Sequence, residues 1–196
     1  MSDLILASAS PRRFELLQQI GVSCTRRPVD IPEIQQPGEA AEVFVERLAR
    51  EKAQAGVAVS DPGAIVLGSD TVVVLQGEVM GKPRDKADGI RMLKSLSDNN
   101  HQVMTAIAVA CGEQIRATVV TTEVRFRCLS DSECDAYWET GESQDKAGGY
   151  GIQGLGAVFV ADISGSYSAV VGLPLLETAQ LLAHHGIEVW QNACRD

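Results

Sequence analysis

Hydrophobic residues recur along this chain in two rhythms, one typical of strands and one typical of helices. Five apolar or alternating runs predict β-strands: Leu4–Ala7, Ala64–Leu75, Gln102–Ala110, Gln114–Arg127 and Val158–Asp162. The third and fourth runs should form a hairpin that turns at Gly112–Glu113. The second arm of this hairpin alternates between apolar and polar positions, which predicts a strand with one buried face.

Helical spacing predicts five helices between and after these strands. The first begins with Ser10 as its N-cap and Pro11 as its first residue, and Gly21 is its expected stop. The other four cover roughly Glu39–Val59, then Lys86–Ser95, then Asp131–Thr140 with Ser130 as cap, and finally a segment that opens after Pro174. Two segments without a period, Pro28–Gly38 and the glycine-dense Gly148–Gly156, are predicted to be loops.

This order of elements predicts an α/β fold. Strands that alternate with helices, interrupted by one long hairpin, are typical of a mixed sheet flanked by helices on both faces. A chain of 196 residues is long enough to bury one continuous core. We therefore expect a single domain over residues 1–196, pinched into two lobes around a cleft.

Composition and charge narrow the classes of function. Hydrophobic residues make up 45% of the chain and charged residues 22%, which is typical of a globular protein and excludes a mainly disordered chain. There are 17 Lys and Arg against 26 Asp and Glu, a net charge of −9. This balance argues against a polynucleotide partner, because such binding rests on neutralising phosphates. It allows a small anionic substrate held by a local cluster of cations.

The cysteines and the N-terminus indicate the compartment. Five cysteines, an odd number with no C-x-x-C pair, predict reduced thiols and neither a disulfide framework nor a zinc site: Cys24, Cys111, Cys128, Cys134 and Cys194. The N-terminus lacks a basic leader, and no apolar run approaches the roughly 18 residues of a membrane span. We expect a cytoplasmic protein without a membrane partner.

Two arginines oppose the dipole of the first predicted helix. Arg12 and Arg13 lie in its first turn, where anions are favoured. Either they extend into solvent, or they hold an anion such as phosphate together with Ser8, Ser10 and the free N–H groups of that turn.

A lysine and an aspartate lie at positions that their elements would give to apolar residues. Lys52 follows Phe44 and Leu48 on the apolar stripe of the long helix, so it either snorkels out at the edge or points into a cleft. Asp70 interrupts the most apolar strand, either as a structural carboxylate that caps backbone N–H groups or as a metal ligand or general base. Gly68 beside it permits close approach of another segment or a ligand.

Two lysines lie in or beside glycine-containing turns later in the chain than Asp70. Lys82 lies in a rigid Gly-Lys-Pro turn, and Lys146 opens the glycine-dense loop. The order of these residues fits neither a Walker A loop nor a Rossmann fingerprint, and no G-x-S-x-G elbow is present. The three histidines, His101, His184 and His185, have no metal-ligand spacing. What remains is a set of cations with one or two acids, which favours phosphate chemistry.

Six segments carry an ordered set of short motifs. They are Leu6–Arg13, Gly68–Val73, Gly81–Pro83, Lys146–Gly154, Gly165–Tyr167 and Val171–Pro174. Together they resemble the Maf family of nucleoside triphosphate pyrophosphatases, and the similarity extends from about residue 4 to residue 182. Small departures exist, since Ser69 and Gly149 stand where alanine is more usual in that family.

The resemblance implies a fold, a reaction and a set of roles. The fold would be similar to that of the inosine triphosphate pyrophosphatases, and the reaction would be hydrolysis of a nucleoside triphosphate to the monophosphate and pyrophosphate with a divalent cation, Mg²⁺ or Mn²⁺. The implied roles are Asp70 as catalytic base, Asp70 and Glu33 as metal ligands, and Ser8, Ser10, Arg13, Lys52, Lys82 and Lys146 as ligands of the substrate phosphates.

Three positions of the resemblance concern the base of the nucleotide. Arg12, Thr71 and Gln153 match the branch of the family that acts on dTTP and UTP, with modified pyrimidine nucleotides as further candidate substrates. The amide of Gln153 offers a donor and an acceptor that complement N3–H and O4 of uracil or thymine. A flipped amide would also serve cytosine, so Gln153 alone does not give the selectivity.

Two other functions stay open at this point. One is a 7-methyl-GTP pyrophosphatase, against which the three specificity positions argue. The other is a nucleotide-binding regulator of cell division, linked to septum formation, in which catalysis is not essential. The expected partner is a small nucleotide, and a homodimer is a further option.

Overall fold

The computed structural model describes residues 4–190, which form one sheet with surrounding helices. The strands are β1 (Leu4–Leu6), β2 (Thr25–Arg26), β3 (Ile65–Leu75), β4 (Glu78–Met80), β5 (Asn100–Cys111), β6 (Gln114–Phe126) and β7 (Val160–Ser164). The α-helices are α1 (Pro11–Gln19), α2 (Ala41–Ala58), α3 (Lys86–Leu96), α4 (Asp131–Glu139), α5 (Tyr167–Val171) and α6 (Leu175–Ala183). Two short 3-10 helices cover Ala147–Gly149 and Leu155–Phe159.

The seven strands form a mixed sheet in the order β2-β1-β3-β5-β6-β7, with β4 paired to β3 outside this path. β1 runs parallel to both of its neighbours, and Ile5 lies opposite Thr25 on one side and Val66 on the other. β4 is antiparallel to β3, and β7 is antiparallel to β6. This mixed sheet with its helices confirms the predicted α/β class.

The central strand β3 is buried along nearly its whole length, as its continuous apolar run predicts. Helix α2 packs directly against it at Gly68. A side-chain carbon at Gly68 would overlap the carbonyl oxygen of Ala49 and come within 2.6 Å of the backbone nitrogen of Ala53. The glycine therefore admits the helix backbone, so of the two predicted alternatives, a second segment or a ligand, the second segment is the one observed.

The chain divides into two compact units, each assembled from separate segments. Within the described part of the chain, the first comprises residues 4–70, residues Thr105–Val120 and residues 172–190. Its core includes the packed side chains of Ile5, Ala7 and Val66.

The second unit comprises Thr71–Met104 and Thr121–Val171. Its core includes Phe126, against which the rings of His101 and Tyr150 pack edge-on at centroid distances of 5.0 and 4.7 Å. The predicted pair of lobes thus has its counterpart in two units.

All predicted strands and helices are present, and their ends differ from the prediction by at most two residues. The elements that the sequence did not predict are β2, β4 and α5, which have two, three and five residues. Such lengths are too short to show a hydrophobic period. The prediction of a loop over Gly148–Gly156 was partly wrong, because 3-10 helices occupy parts of it.

The described residues bear on two predictions, one about the cysteines and one about membrane-spanning segments. Cys24, Cys111, Cys128 and Cys134 are free thiols, whereas Cys194 lies outside the part that the structure describes. Among residues 4–190, no helix combines the length and the apolar character needed to cross a bilayer.

Candidate active site

Lys52 and Asp70 form a buried ion pair in the first unit. The Lys52 side chain leaves the inner face of α2, and its Nζ lies 2.6 Å from Oδ1 of Asp70 on β3. The two side chains are 10% and 9% exposed. Lys52 therefore does not snorkel to the surface, and its place on the apolar stripe of the helix directs it to a carboxylate.

Glu33 brings a second carboxylate to the same ammonium group. Its Oε1 lies 2.6 Å from Nζ of Lys52, while its side chain remains 46% exposed on the loop that precedes α2. One lysine thus bridges a buried and a half-exposed carboxylate. The third N–H of its ammonium group is left for another acceptor.

The electrostatic surroundings of Asp70 act in opposite directions. Burial raises the pKa of Asp70 above its ordinary value, and the positive charges of Lys52 and Arg13 oppose that rise without cancelling it. The negative charge of Glu33 adds a smaller upward contribution. A carboxylate with a raised pKa is a stronger proton acceptor than an ordinary surface aspartate, which suits a general base.

Arg13 turns back from the first turn of α1 into this unit. Its Nε donates to the carbonyl oxygen of Gly172 at 2.9 Å, and one terminal nitrogen donates to Oγ of Ser8 at 3.2 Å. Burial lowers the pKa of Arg13, and the charge of Asp70 opposes this shift. The alternative in which Arg13 simply extends into solvent is therefore wrong.

The start of α1 is organised by Ser8 and not by the predicted cap. Ser10 occupies the N-cap position, as predicted, but its side chain makes no capping hydrogen bond. Instead its backbone N–H donates to Oγ of Ser8 at 3.2 Å. Ser8 is buried and accepts from both Ser10 and Arg13, so it fixes the arginine relative to the helix start.

The carbonyl group of Gly172 is a contact that the sequence analysis missed. It accepts from Nε of Arg13 and also from Oγ of Ser69 at 3.0 Å. Ser69 precedes Asp70 in β3 and is fully buried. The Val-Gly-Leu-Pro motif is visible in the sequence, but nothing in the linear pattern indicates that the carbonyl oxygen of its glycine accepts from an arginine more than 150 residues away.

The remaining predicted residues of the first unit have simpler positions. Arg12 is half-buried beside Arg13 in α1. A hydrogen bond joins Arg13 to Ser8, and ion pairs join Lys52 to Glu33 and Asp70. The charge of Arg13 acts on Asp70, so these five residues interact within the first unit.

The other predicted residues lie in the second unit. Thr71 follows Asp70 directly in β3 and is half-buried, and Lys82 is exposed on its turn. The carbonyl oxygen of Gly81 accepts from the N–H of Gly148 at 3.0 Å, which joins the turn of Lys82 to the glycine-dense loop. Gln153 is exposed within that loop.

Lys146 is engaged within its own segment. Its Nζ donates to the carbonyl oxygen of Glu142 and to Oδ1 of Asp145, each at 2.7 Å. These bonds use two of its three N–H donors, so its predicted contact with phosphate depends on the third. That role stays a prediction.

Several known proteins are similar to this chain in sequence. A profile of the family described as Maf-like protein matches residues 3–185. A protein of Pseudoalteromonas translucida named dTTP/UTP pyrophosphatase is 58% identical over 177 residues, which are 90% of this chain and 94% of that protein. Proteins with the same name from Saccharophagus degradans and Shigella sonnei are 53% and 54% identical, over 97% and 94% of this chain and 92% and 93% of theirs.

Two solved structures show a more distant likeness. The Staphylococcus aureus Ham1 protein is 15% identical, with a TM-score of 0.46 over 64% of this chain and 72% of its own. A nucleoside-triphosphatase/dITP/XTP pyrophosphatase from Mycobacterium abscessus is 18% identical, with a TM-score of 0.43 over 94% of both chains.

Proposed function

The chain belongs to the Maf-like protein family, and from this premise we propose that it hydrolyses dTTP and UTP to the nucleoside monophosphate and pyrophosphate. The observation that carries the chemistry is the buried carboxylate of Asp70, paired with Lys52 and facing the charge of Arg13. The names of the relatives, which share more than half of their residues with this chain, support the choice of substrates.

In this proposal Asp70 accepts the proton of the water molecule that attacks the triphosphate. The water becomes a better nucleophile as its proton moves to a carboxylate oxygen. Burial strengthens Asp70 as a base by raising its pKa, while Lys52 and Arg13 keep the ionised form accessible.

The cations would bind the triphosphate and offset the charge that shifts to the leaving pyrophosphate. Arg13 is held by Ser8 and Gly172, so its guanidinium is preorganised before substrate binds. We assign Lys52, Lys82 and Lys146 to phosphate oxygens as well, with Ser8 and Ser10 at the start of α1 as further donors. Preorganised donors lower the barrier because they need little rearrangement during the reaction.

A divalent cation, Mg²⁺ or Mn²⁺, fits the acids that are present. Oε1 of Glu33 and Oδ1 of Asp70 each lie 2.6 Å from Nζ of Lys52, so the two carboxylates lie close together and a metal ion would bind their other oxygens. Within residues 4–190 there is no cluster of three or more His, Cys, Asp or Glu residues placed to hold a metal. Two carboxylates suit Mg²⁺ that is also bound by water and substrate phosphates, and such an ion neutralises phosphate charge.

Selectivity for the base is assigned to Arg12, Thr71 and Gln153. Gln153 is exposed, so its amide is available to a ligand. Its donor and acceptor complement the edge of uracil and thymine, and modified pyrimidines that keep this edge are candidate substrates.

We assign a single Maf-like domain to residues 1–196, a cytoplasmic location and a small nucleotide as the partner, with neither a polynucleotide nor a membrane. A homodimer is compatible with this function. The net charge of −9 favours a local phosphate site over a polynucleotide track.

A nucleotide panel tests the function. Pyrophosphate release is measured from UTP, dTTP, CTP, GTP and 7-methyl-GTP, with Mg²⁺ and again with a chelator. We expect turnover of UTP and dTTP that requires the metal. Preference for 7-methyl-GTP would favour the sister activity, and tight binding of UTP without turnover would favour a nucleotide-sensing regulator.

A further inference from the structure

Hydrogen bonds of the Tyr137 hydroxyl link Glu142 to the loop that carries Gln153, on the N-terminal side of that residue. The Tyr137 hydroxyl, at the end of α4, donates to Oε1 of Glu142 at 2.7 Å. The same hydroxyl accepts from the backbone N–H of Gly151 at 3.0 Å. Gly151 lies two residues before Gln153, so this contact fixes the segment just ahead of the amide.

The carboxylate of Glu142 fastens the other side of the loop. Its Oε2 accepts from the N–H of Leu155 at 2.8 Å, and its Oε1 accepts from the N–H of Gly156 at 3.0 Å. Gln153 therefore lies between two attachments to one pair of side chains. We call residues Gly151–Gly156 the Gln153 loop.

Close contacts with Glu142 and Tyr137 explain two glycines of the Gln153 loop. A side-chain carbon at Gly154 would overlap the carboxylate of Glu142. At Gly156 such a carbon would lie 2.8 Å from the hydroxyl of Tyr137. Glycine at these positions lets the loop backbone lie directly on the two side chains.

Glu142 makes these contacts as an anion. Burial alone would raise the pKa of Glu142, but the N–H groups of Gly156 and Leu155 and the Tyr137 hydroxyl lower it overall. An ionised carboxylate only accepts hydrogen bonds, and each bond to it is stronger than one between neutral groups. The chemistry of the side chain thus matches its three donors.

We propose that Glu142 and Tyr137 are positioning residues for base selectivity, because they hold the backbone on both sides of Gln153 and so fix the place at which its amide meets the substrate. This inference rests on the proposed function. Gln153 alone does not separate uracil from cytosine, because rotation of its amide by half a turn exchanges donor and acceptor. A backbone fixed on both sides of Gln153 holds the amide at one place, where the groups around it can favour one of its two orientations.

The test compares UTP with CTP in Glu142→Gln, Tyr137→Phe and Gln153→Ala. Glu142→Gln keeps the shape of the side chain but turns one acceptor into a donor that faces a backbone N–H. We expect the ratio of kcat/KM for UTP over CTP to fall about tenfold in the first two variants, the cost of one charge-assisted hydrogen bond. The loss should lie in KM for UTP, with kcat within about twofold of the wild type.

Two comparisons separate positioning from a general loss of stability. Glu139→Gln makes the same chemical change at an exposed acid of α4 and should leave the ratio unchanged. A merely structural role would lower kcat/KM for UTP and for CTP by the same factor. In a Gln153→Ala background, adding Glu142→Gln should not reduce the ratio further, because the amide whose place it fixes is gone.

The results that would contradict this inference differ from those that would contradict the proposed function. An unchanged ratio in folded Glu142→Gln or Tyr137→Phe would overturn the inference, as would a further fall in the double variant. If Glu142→Gln does not fold, Tyr137→Phe decides. If the wild type does not hydrolyse UTP, the proposed function fails, and amide hydrogen exchange at Gly151, Leu155 and Gly156 decides the anchoring. Faster exchange in the variants supports it, and unchanged exchange refutes it.

Discussion

The ammonium group of Lys52 lies 2.6 Å from the carboxylate of Asp70, and neither side chain is more than one-tenth exposed. Two charges have therefore been withdrawn from water at the junction of α2 and β3. Such a pair is costly to desolvate, and removal of one partner leaves the other charge buried without its ion-pair partner. A costly arrangement of this kind is typical of a functional site.

The ion pair predicts a stability effect for Lys52→Met. We expect the free energy of unfolding to fall by about 3–5 kcal/mol, because Asp70 loses its buried partner. Adding Asp70→Asn should restore part of the loss. Lys94→Met is the control, since its ion pair with Asp131 is exposed to solvent and should contribute little to stability. Urea unfolding measures all three, and a loss no larger than that of the control would contradict a buried pair.

Glu33 predicts a change in metal dependence. Glu33→Gln should raise the Mg²⁺ concentration for half-maximal hydrolysis of UTP by at least about tenfold, the lower end of what loss of even an outer partner of a metal costs. Glu42→Gln, at an exposed acid in the first turn of α2, should leave it unchanged. If Glu33→Gln lowers kcat without any change in the Mg²⁺ requirement, Glu33 is not a metal ligand.

His101 predicts a pH dependence of stability. Burial lowers its pKa from 6.5 to about 4, and its ring contacts Tyr150 through Nε2 at 2.8 Å. Between those values the unfolded chain binds the proton more readily, so stability should fall as the pH drops from 6.5 to 4. The contribution is on the order of 3 kcal/mol, from about 1.4 kcal/mol per pKa unit.

A non-titrating variant isolates this contribution. The difference between urea unfolding free energies at pH 7 and pH 4.5 should be smaller in His101→Gln than in the wild type. His184→Gln, at an exposed position, serves as control and should retain the difference. Equal pH dependence in His101→Gln and the wild type would show that His101 does not titrate in this range.

Periodicity predicted the elements, and its exceptions indicated the site. Lys52 and Asp70 stood out because each breaks an apolar pattern whose burial could be anticipated, and the structure buries both. Local pattern did not reveal that they form a pair, since it carries no information on contacts between distant segments. The same limit applies to Gly172, whose carbonyl oxygen serves Arg13 and Ser69.

The sequence alone does not explain the glycines of the loop around Gln153. Its glycines were visible as a motif, but the reason for Gly154 is the carboxylate of Glu142, twelve residues earlier. In the sequence Glu142 is one of many acids and follows a helix as a surface residue would. Only the folded chain shows that its carboxylate accepts three hydrogen bonds.

The most direct test of the account is the turnover of UTP by Asp70→Asn. Asparagine keeps the shape of the side chain but cannot accept the proton of the attacking water at neutral pH. With Mg²⁺ present, we predict that the wild type releases pyrophosphate and that Asp70→Asn, folded and still able to bind UTP, loses at least about 10²-fold in kcat. Asp61→Asn, at an exposed position, should retain full turnover. Near-normal kcat in Asp70→Asn would contradict the central claim.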